Sequence, residues 1–166
     1  IHVLTPGENF KVTLPQMSLP VMLKVLTYAL NLPGTSSREF RRIWKSLEER
    51  RLLSLHEMGE AMKNWNCNQT VKDALFSRYY TLLHSNFFTD NMAGAVLLEE
   101  VFWKADNGGA IVIDLSEASS TDRQIVVEYV LGKLQELLFQ GKIRPVFFFA
   151  EEAHLYLRET YWDDIV

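Results

Sequence analysis

The chain has 166 residues, of which 48% are hydrophobic and 23% charged, and its formal net charge is -4. These values are typical of one globular domain with a substantial core, and the negative charge argues against a uniformly basic nucleic-acid coat. No apolar run reaches the roughly 18 residues of a membrane span, no signal peptide is recognisable, and the single cysteine, Cys67, cannot form an internal disulfide. We therefore expect a cytoplasmic protein that makes no membrane contact.

The first part of the chain is predicted to be one short strand followed by helices. Residues 1–4 are mainly apolar and run into Thr5, Pro6 and Gly7, a pattern that predicts a strand and a turn. Residues 15–92 carry helical signals and almost no strand signal. Four helices are expected there: from Ser18 to Leu30, from the capping pair Ser36 and Glu39, from Leu55 to Trp65, and from the capping pair Thr70 and Asp73 to Leu83.

The second of these helices carries two parallel rows of side chains. One row is apolar, at the spacing of a buried helix face: Phe40, Ile43, Trp44 and Leu47. The other row is cationic: Arg38, Arg41, Arg42 and Lys45. This basic row either contacts DNA phosphates, a nuclease partner or an adjacent subunit, or is a solvated face that Glu48 and Glu49 partly neutralise.

A strand, a helix and a second strand are predicted in the last part of the chain. Residues 108–116 form a loop, an apolar strand and a polar tip at Asp114. A long amphipathic helix follows, with Ser120 or Thr121 as its cap, and it ends near Gly141. Residues 146–149 are an unbroken apolar run, which suits a strand that is buried on both faces of a parallel sheet.

Two adjacent carboxylates, Glu151 and Glu152, come directly after that apolar run. In a βαβ unit the strands are parallel and their carboxyl ends share one edge, so we expect both carboxylates near Asp114. Nucleotide hydrolysis needs one carboxylate near Mg²⁺ and a second that orients or deprotonates water. The alternative is an acidic helix start, where glutamate is favoured because it complements the helix dipole.

The order of these residues resembles a known family. The string Glu151-Glu152-Ala153-His154 after an apolar strand is similar to the Walker B element of the HerA-type ATPases in the FtsK/HerA group of DNA translocases and helicases. The strand that ends in Asp114-Leu115-Ser116 resembles the strand before Walker B in that family, and residues 1–7 resemble its second strand.

The resemblance implies an α/β fold with a partial RecA-like P-loop NTPase core, a parallel sheet formed by residues 1–14 and 93–166, and an all-helical insertion at residues 15–92. It also implies roles in ATP hydrolysis. Glu151 would hold Mg²⁺, Glu152 would act as the catalytic carboxylate that orients water, and Asp114 and His154 would lie beside the nucleotide together with Glu151. A structural role for His154 at a helix start remains open.

The family resemblance further implies a hexameric ring that moves along double-stranded DNA and works with a NurA-type nuclease in the processing of DNA ends. Arg158 is the nearest candidate for an arginine that acts on a neighbouring subunit, and the alternative is a surface helix residue. Two rival functions are a motor of the conjugation or secretion type and a non-catalytic P-loop-like interaction scaffold.

One element of the family is missing from the sequence. No Gly-x-x-x-x-Gly-Lys-Ser/Thr phosphate-binding loop occurs, and neither Gly132-Lys133 nor Gly141-Lys142 has the required spacing. We therefore expect the chain to be a piece of a longer ATPase whose phosphate-binding loop precedes residue 1. Alone, it should bind nucleotide weakly or not at all.

Overall fold

The computed structural model describes residues 1–155, which form six α-helices and one two-stranded parallel sheet. In chain order the elements are β1 (His2–Leu4), α1 (Leu19–Lys24), α2 (Gly34–Glu49), α3 (Leu55–Asn64), α4 (Gln69–His84), α5 (Leu98–Ala105), β2 (Ile111–Ile113) and α6 (Ser120–Phe139). A single π-helical turn, Val25–Ala29, follows α1. The predicted α/β class is confirmed, although the structure is mostly helical and a RecA-like core is not confirmed. None of the helices within residues 1–155 has the length and apolar character needed to cross a bilayer.

The two strands pair in parallel although five helices separate them in the chain. Val3 lies opposite Val112, and Leu4 lies opposite Ile113. The ladder continues past the strand ends, because the Asp114 amide donates to the Leu4 carbonyl oxygen at 2.9 Å. Leu4 is buried and Ile113 packs against the core, whereas Val3 and Val112 are 51% and 46% exposed on the opposite face. Within residues 1–155 the sheet is therefore covered on one face only.

The strand predicted at residues 146–149 is not formed, and that prediction is wrong for the structure described here. Phe147 and Phe149 are 94% and 87% exposed, and no backbone hydrogen bond within residues 1–155 involves residues 143–150. A strand buried on both faces needs a paired neighbour and a layer on each side. The described sheet has two strands and is covered on one face only. A strand added at its edge would therefore not be buried on both faces.

The predicted helices all form, but several begin at a different residue. Ser18 caps α1 as predicted, since its Oγ accepts from the Val21 amide at 3.4 Å. Asn68 caps α4, two residues before the predicted Thr70, and Ser119 caps α6 in place of Ser120 or Thr121. The start predicted at Ser36 is wrong, because α2 already begins at Gly34. For α4 and α6 a neighbouring residue that can cap the helix is used instead, whereas Pro33 precedes α2 without a side-chain cap.

One hydrophobic core joins the N-terminal segment, the helices and α6. Its centre is aromatic: the ring of Phe87 packs edge-on against Phe10 at 5.1 Å and against Tyr129 at 5.4 Å between centroids. Burial raises the pKa of the Tyr129 hydroxyl. Gly132 of α6 lies against Val21 of α1, and a β-carbon at Gly132 would come within 3.3 Å of a valine methyl. The small residue therefore allows α6 to pack closely on α1.

A partly buried charge network reinforces the same contact. Lys133, which is 9% exposed, lies 3.6 Å from carboxylate oxygens of both Glu99 and Glu136. The Ser18 hydroxyl donates to Glu136 at 3.4 Å, and so links this network to the start of α1. The Gly132-Lys133 pair thus lies inside a packed helix, where its lysine has structural partners.

Candidate functional site

The carboxyl edge of the sheet is where the predicted site should lie, and a compact turn follows β1 there. The Asn9 side chain accepts from the Thr5 amide at 2.6 Å and donates to the Val3 carbonyl at 3.0 Å. Gly7 has a φ of +83°, a conformation that a residue with a β-carbon rarely adopts. The end of β1 is therefore held by side-chain and backbone hydrogen bonds from its own turn.

Asp114 lies at the end of β2 on the same edge. Its carboxylate accepts from the Ser116 amide at 3.0 Å, which closes a local turn. This backbone hydrogen bond, with a further contribution from the Ser116 side chain, lowers the pKa of the exposed Asp114 carboxyl. Asp114 is consequently an ionised residue at the strand tip, and its described contact is structural.

Arg123 fixes the loop after β2 and was not identified from the sequence. Its Nε donates to the Leu115 carbonyl at 3.0 Å, and its Nη2 donates to the Ser116 carbonyl at 2.9 Å. The two bonds tie the first turn of α6 to the tip of β2. The sequence signal that could have identified Arg123 is an arginine in the first turn of a helix that comes shortly after a polar strand tip.

Glu151 and Glu152 lie in a turn, both exposed, after the extended apolar run. Glu152 has a left-handed backbone, with a φ of +51°, and its Oε2 lies 3.4 Å from Nδ1 of His154. This contact is an ion pair only when the histidine is protonated. The prediction that a strand presents the two carboxylates is therefore wrong for residues 1–155, since residues 144–150, which lead directly into them, form no strand.

The predicted ligands do not form a metal site in the part of the chain that the structure describes. No group of three or more His, Cys, Asp or Glu side chains there is arranged to hold a metal ion. The sequence also lacks the Gly-x-x-x-x-Gly-Lys-Ser/Thr motif whose backbone amides bind phosphate. Within residues 1–155 the predicted magnesium ligands are therefore not gathered at one point. Arg158 lies outside the described residues.

A shallow cleft of about 270 Å³ lies elsewhere, between α2 and α3. It is lined by polar and apolar side chains that include Arg50, Glu57, Glu60 and Trp65. None of the predicted site residues lines it. The candidate site thus remains the carboxyl edge of the sheet with the acidic turn that follows residues 146–149.

Comparison of the chain with protein-family models, with curated proteins and with solved structures gives no significant match in any of the three.

Proposed function

We propose that this chain is part of an ATP-driven DNA translocase or helicase of the HerA type, within a longer protein whose phosphate-binding loop lies outside these 166 residues. Two observations support the proposal. The string Glu151-Glu152-Ala153-His154 follows an apolar run of strand length. Asp114 ends a strand of a parallel pair, at the kind of edge where open α/β sheets bind their ligands.

The proposed roles follow the chemistry of the side chains. Glu152 orients the attacking water, Glu151 holds Mg²⁺ through water, and Asp114 and His154 lie beside the nucleotide. Mg²⁺ supplies charge neutralisation at the phosphates. For these roles residues 146–149 must join the parallel sheet as a strand, which would bring the acidic turn to the edge where Asp114 lies.

The partners in this proposal are double-stranded DNA, further copies of the chain in a hexameric ring, and a NurA-type nuclease. The ring would work in the processing of DNA ends in the cytoplasm. These partners rest on the likeness of the residue strings to the HerA type and form part of the same proposal.

The direct test is Glu152→Gln in the longer protein. We expect ATP turnover to fall by at least about 100-fold, the usual minimum contribution of a positioned base, because the amide cannot accept a proton from water. ATP binding should persist, since the change removes one carboxylate and leaves the phosphate-binding loop intact. Steady-state turnover and equilibrium binding of a fluorescent ATP analogue measure the two quantities.

Glu117→Gln is the matched control, because Glu117 is another exposed carboxylate, close to the tip of β2. Its turnover should equal that of the wild type. Normal turnover in the Glu152→Gln variant would remove the proposed role from that residue, and the loss of both binding and turnover would indicate damage to the fold.

A non-catalytic interaction scaffold is the second candidate. It is favoured by the exposed position of Glu151 and Glu152 in a turn and by the absence of a phosphate-binding loop motif from the sequence. If the full-length protein binds no ATP in the presence of Mg²⁺, the scaffold replaces the motor.

A further inference from the structure

The exposed side of α2 is a cationic surface that the described part of the molecule leaves uncovered. It is formed by Arg38, Arg41, Arg42 and Lys45, which we call the basic stripe. At 3.6 residues per turn these four positions fall within an arc of about 100°. The buried side of the same helix lies opposite and consists of Ser36, Phe40, Ile43, Trp44 and Leu47. Packing of the apolar side therefore fixes the basic stripe outward.

Positive charge is concentrated in and just after this part of α2. Residues 38–51 hold six of the 17 lysine and arginine residues of the chain and only three carboxylates, while the whole chain is negatively charged. Glu49 lies four residues after Lys45 and closes the cationic face at its C-terminal end. The stripe thus occupies about two turns in the middle of α2, residues 38–45.

Most of the stripe is available to a partner. Within residues 1–155, Arg41 and Lys45 take part in no ion pair, while Arg42 lies 3.0 Å from Glu39. The Arg42 side chain is 63% exposed in that pair, and exposed pairs of this kind contribute little to stability. Arg42 can therefore turn toward an external anion at small cost.

The partner must be one that binds by charge and needs no apolar contact. Protein interfaces are usually centred on buried aromatic or aliphatic side chains. No large hydrophobic residue of α2 is exposed, since all of those on this helix are buried on its other side. A phosphodiester backbone needs only cations at suitable spacing. Arg38 and Lys45 are about 10 Å apart along the helix axis, a length that about four phosphates of one DNA strand span at their spacing of about 3.4 Å.

We propose that the basic stripe binds the phosphate backbone of double-stranded DNA without reading its sequence. The proposal extends the function above, which names DNA as a partner but no surface that contacts it; the choice of duplex DNA over RNA rests on that function. The contact itself needs neither ATP nor the acidic turn.

The test measures binding of the 166-residue chain to a short fluorescent DNA duplex by anisotropy, without nucleotide, across a salt series. With about four phosphate contacts, the wild-type affinity should fall about 100-fold between about 50 mM and about 200 mM salt. The combined variant R38Q/R41Q/R42Q/K45Q should bind more weakly, with a slope of log affinity against log salt reduced by about 3 to 4.

Two further variants keep the test specific. The control K63Q/K72Q/K104Q/R144Q removes the same charge from surface positions outside α2 and should largely retain the wild-type slope. Arg41→Gln leaves the contact of Arg42 with Glu39 intact and should reduce the slope by about 1. Thermal melting of each variant checks that it is folded.

The proposal is overturned if the stripe variants keep the wild-type affinity and slope, or if the control variant loses as much as the stripe variant. It is also overturned if the wild type fails to bind duplex DNA, whether or not it binds polyglutamate, a probe for acidic protein partners. Since no nucleotide is present, these outcomes are independent of ATP turnover, so the stripe and the ATPase proposals fail separately.

Discussion

At the scale of single residues, Glu39 shows how the helical part of the chain uses a carboxylate structurally. Glu39 lies on the flank of α2, where the indole Nε1 of Trp65 donates to it at 3.0 Å. Arg42 donates to its other oxygen at 3.0 Å. The Trp65 hydrogen bond and then the Arg42 charge lower the pKa of the Glu39 carboxyl below its ordinary 4.5. The ionised form is therefore favoured by the folded state.

This lowered pKa predicts how stability depends on pH. A carboxyl with a lower pKa in the folded state contributes stability above its unfolded pKa, and this contribution is lost as pH falls through the folded pKa. Glu39→Gln should therefore lower the melting temperature near neutral pH, and the difference from wild type should shrink on acidification below 4.5. Glu49→Gln, on the same helix but without these contacts, is the control. A difference of equal size and pH dependence in that control would assign the effect to net charge.

The site residues show what could be predicted at this scale. The sequence placed Asp114 correctly at a strand tip, because an apolar run that ends in Asp-Leu-Ser is a local pattern. It did not identify Arg123, whose two carbonyl partners come into reach only when α6 packs beside β2. Contacts between elements depend on distances that no local pattern contains.

At the scale of elements, the packing of α3 on α4 depends on Gly59. The Tyr79 hydroxyl donates to the Leu55 carbonyl at 3.0 Å and passes directly over Gly59. A β-carbon at Gly59 would lie 2.7 Å from the ring Cζ of Tyr79 and closer still to its hydroxyl oxygen. Glycine is therefore required where the two helices touch, although it is unfavourable within a helix.

Gly59→Ala should destabilise the protein by up to about 2 kcal/mol, because an overpacking cost of roughly 1–3 kcal/mol is offset by a gain of about 1 kcal/mol in helix propensity. Chemical denaturation measures the change. Gly34→Ala is the matched control, since a β-carbon there meets no atom within 4 Å. Equal or higher stability in the Gly59→Ala variant would contradict the packing described for α3 and α4.

Helices and strands differed in how far the sequence predicted them. Apolar periodicity is contained within a helix, so all five helices predicted between Ser18 and Gly141 are present. Their first residues were harder to predict, because neighbouring residues such as Ser119, Ser120 and Thr121 are all competent caps. An apolar run such as residues 146–149 becomes a strand only if another part of the protein pairs with it, and its own composition does not supply that partner.

At the scale of the whole molecule, two apolar surfaces are exposed that further protein could cover: the open face of the sheet and residues 146–149. Val3 and Val112 leave one sheet face uncovered, and residues 146–149 expose three consecutive phenylalanines. Large contiguous apolar surfaces are uncommon on isolated proteins and usually mark an interaction. Under the proposed function, further residues of a longer protein complete the sheet, with residues 146–149 as one of its strands.

Hydrogen exchange at the amides of residues 147–150 tests this central claim most directly. The account predicts fast exchange in the isolated 166-residue chain, where these amides have no described hydrogen-bond acceptor, and strong protection in the longer protein, where they join a sheet. The amides of α6 serve as an internal reference that should be protected in both. Fast exchange of residues 147–150 in the longer protein as well, with and without magnesium and ATP, would contradict the account.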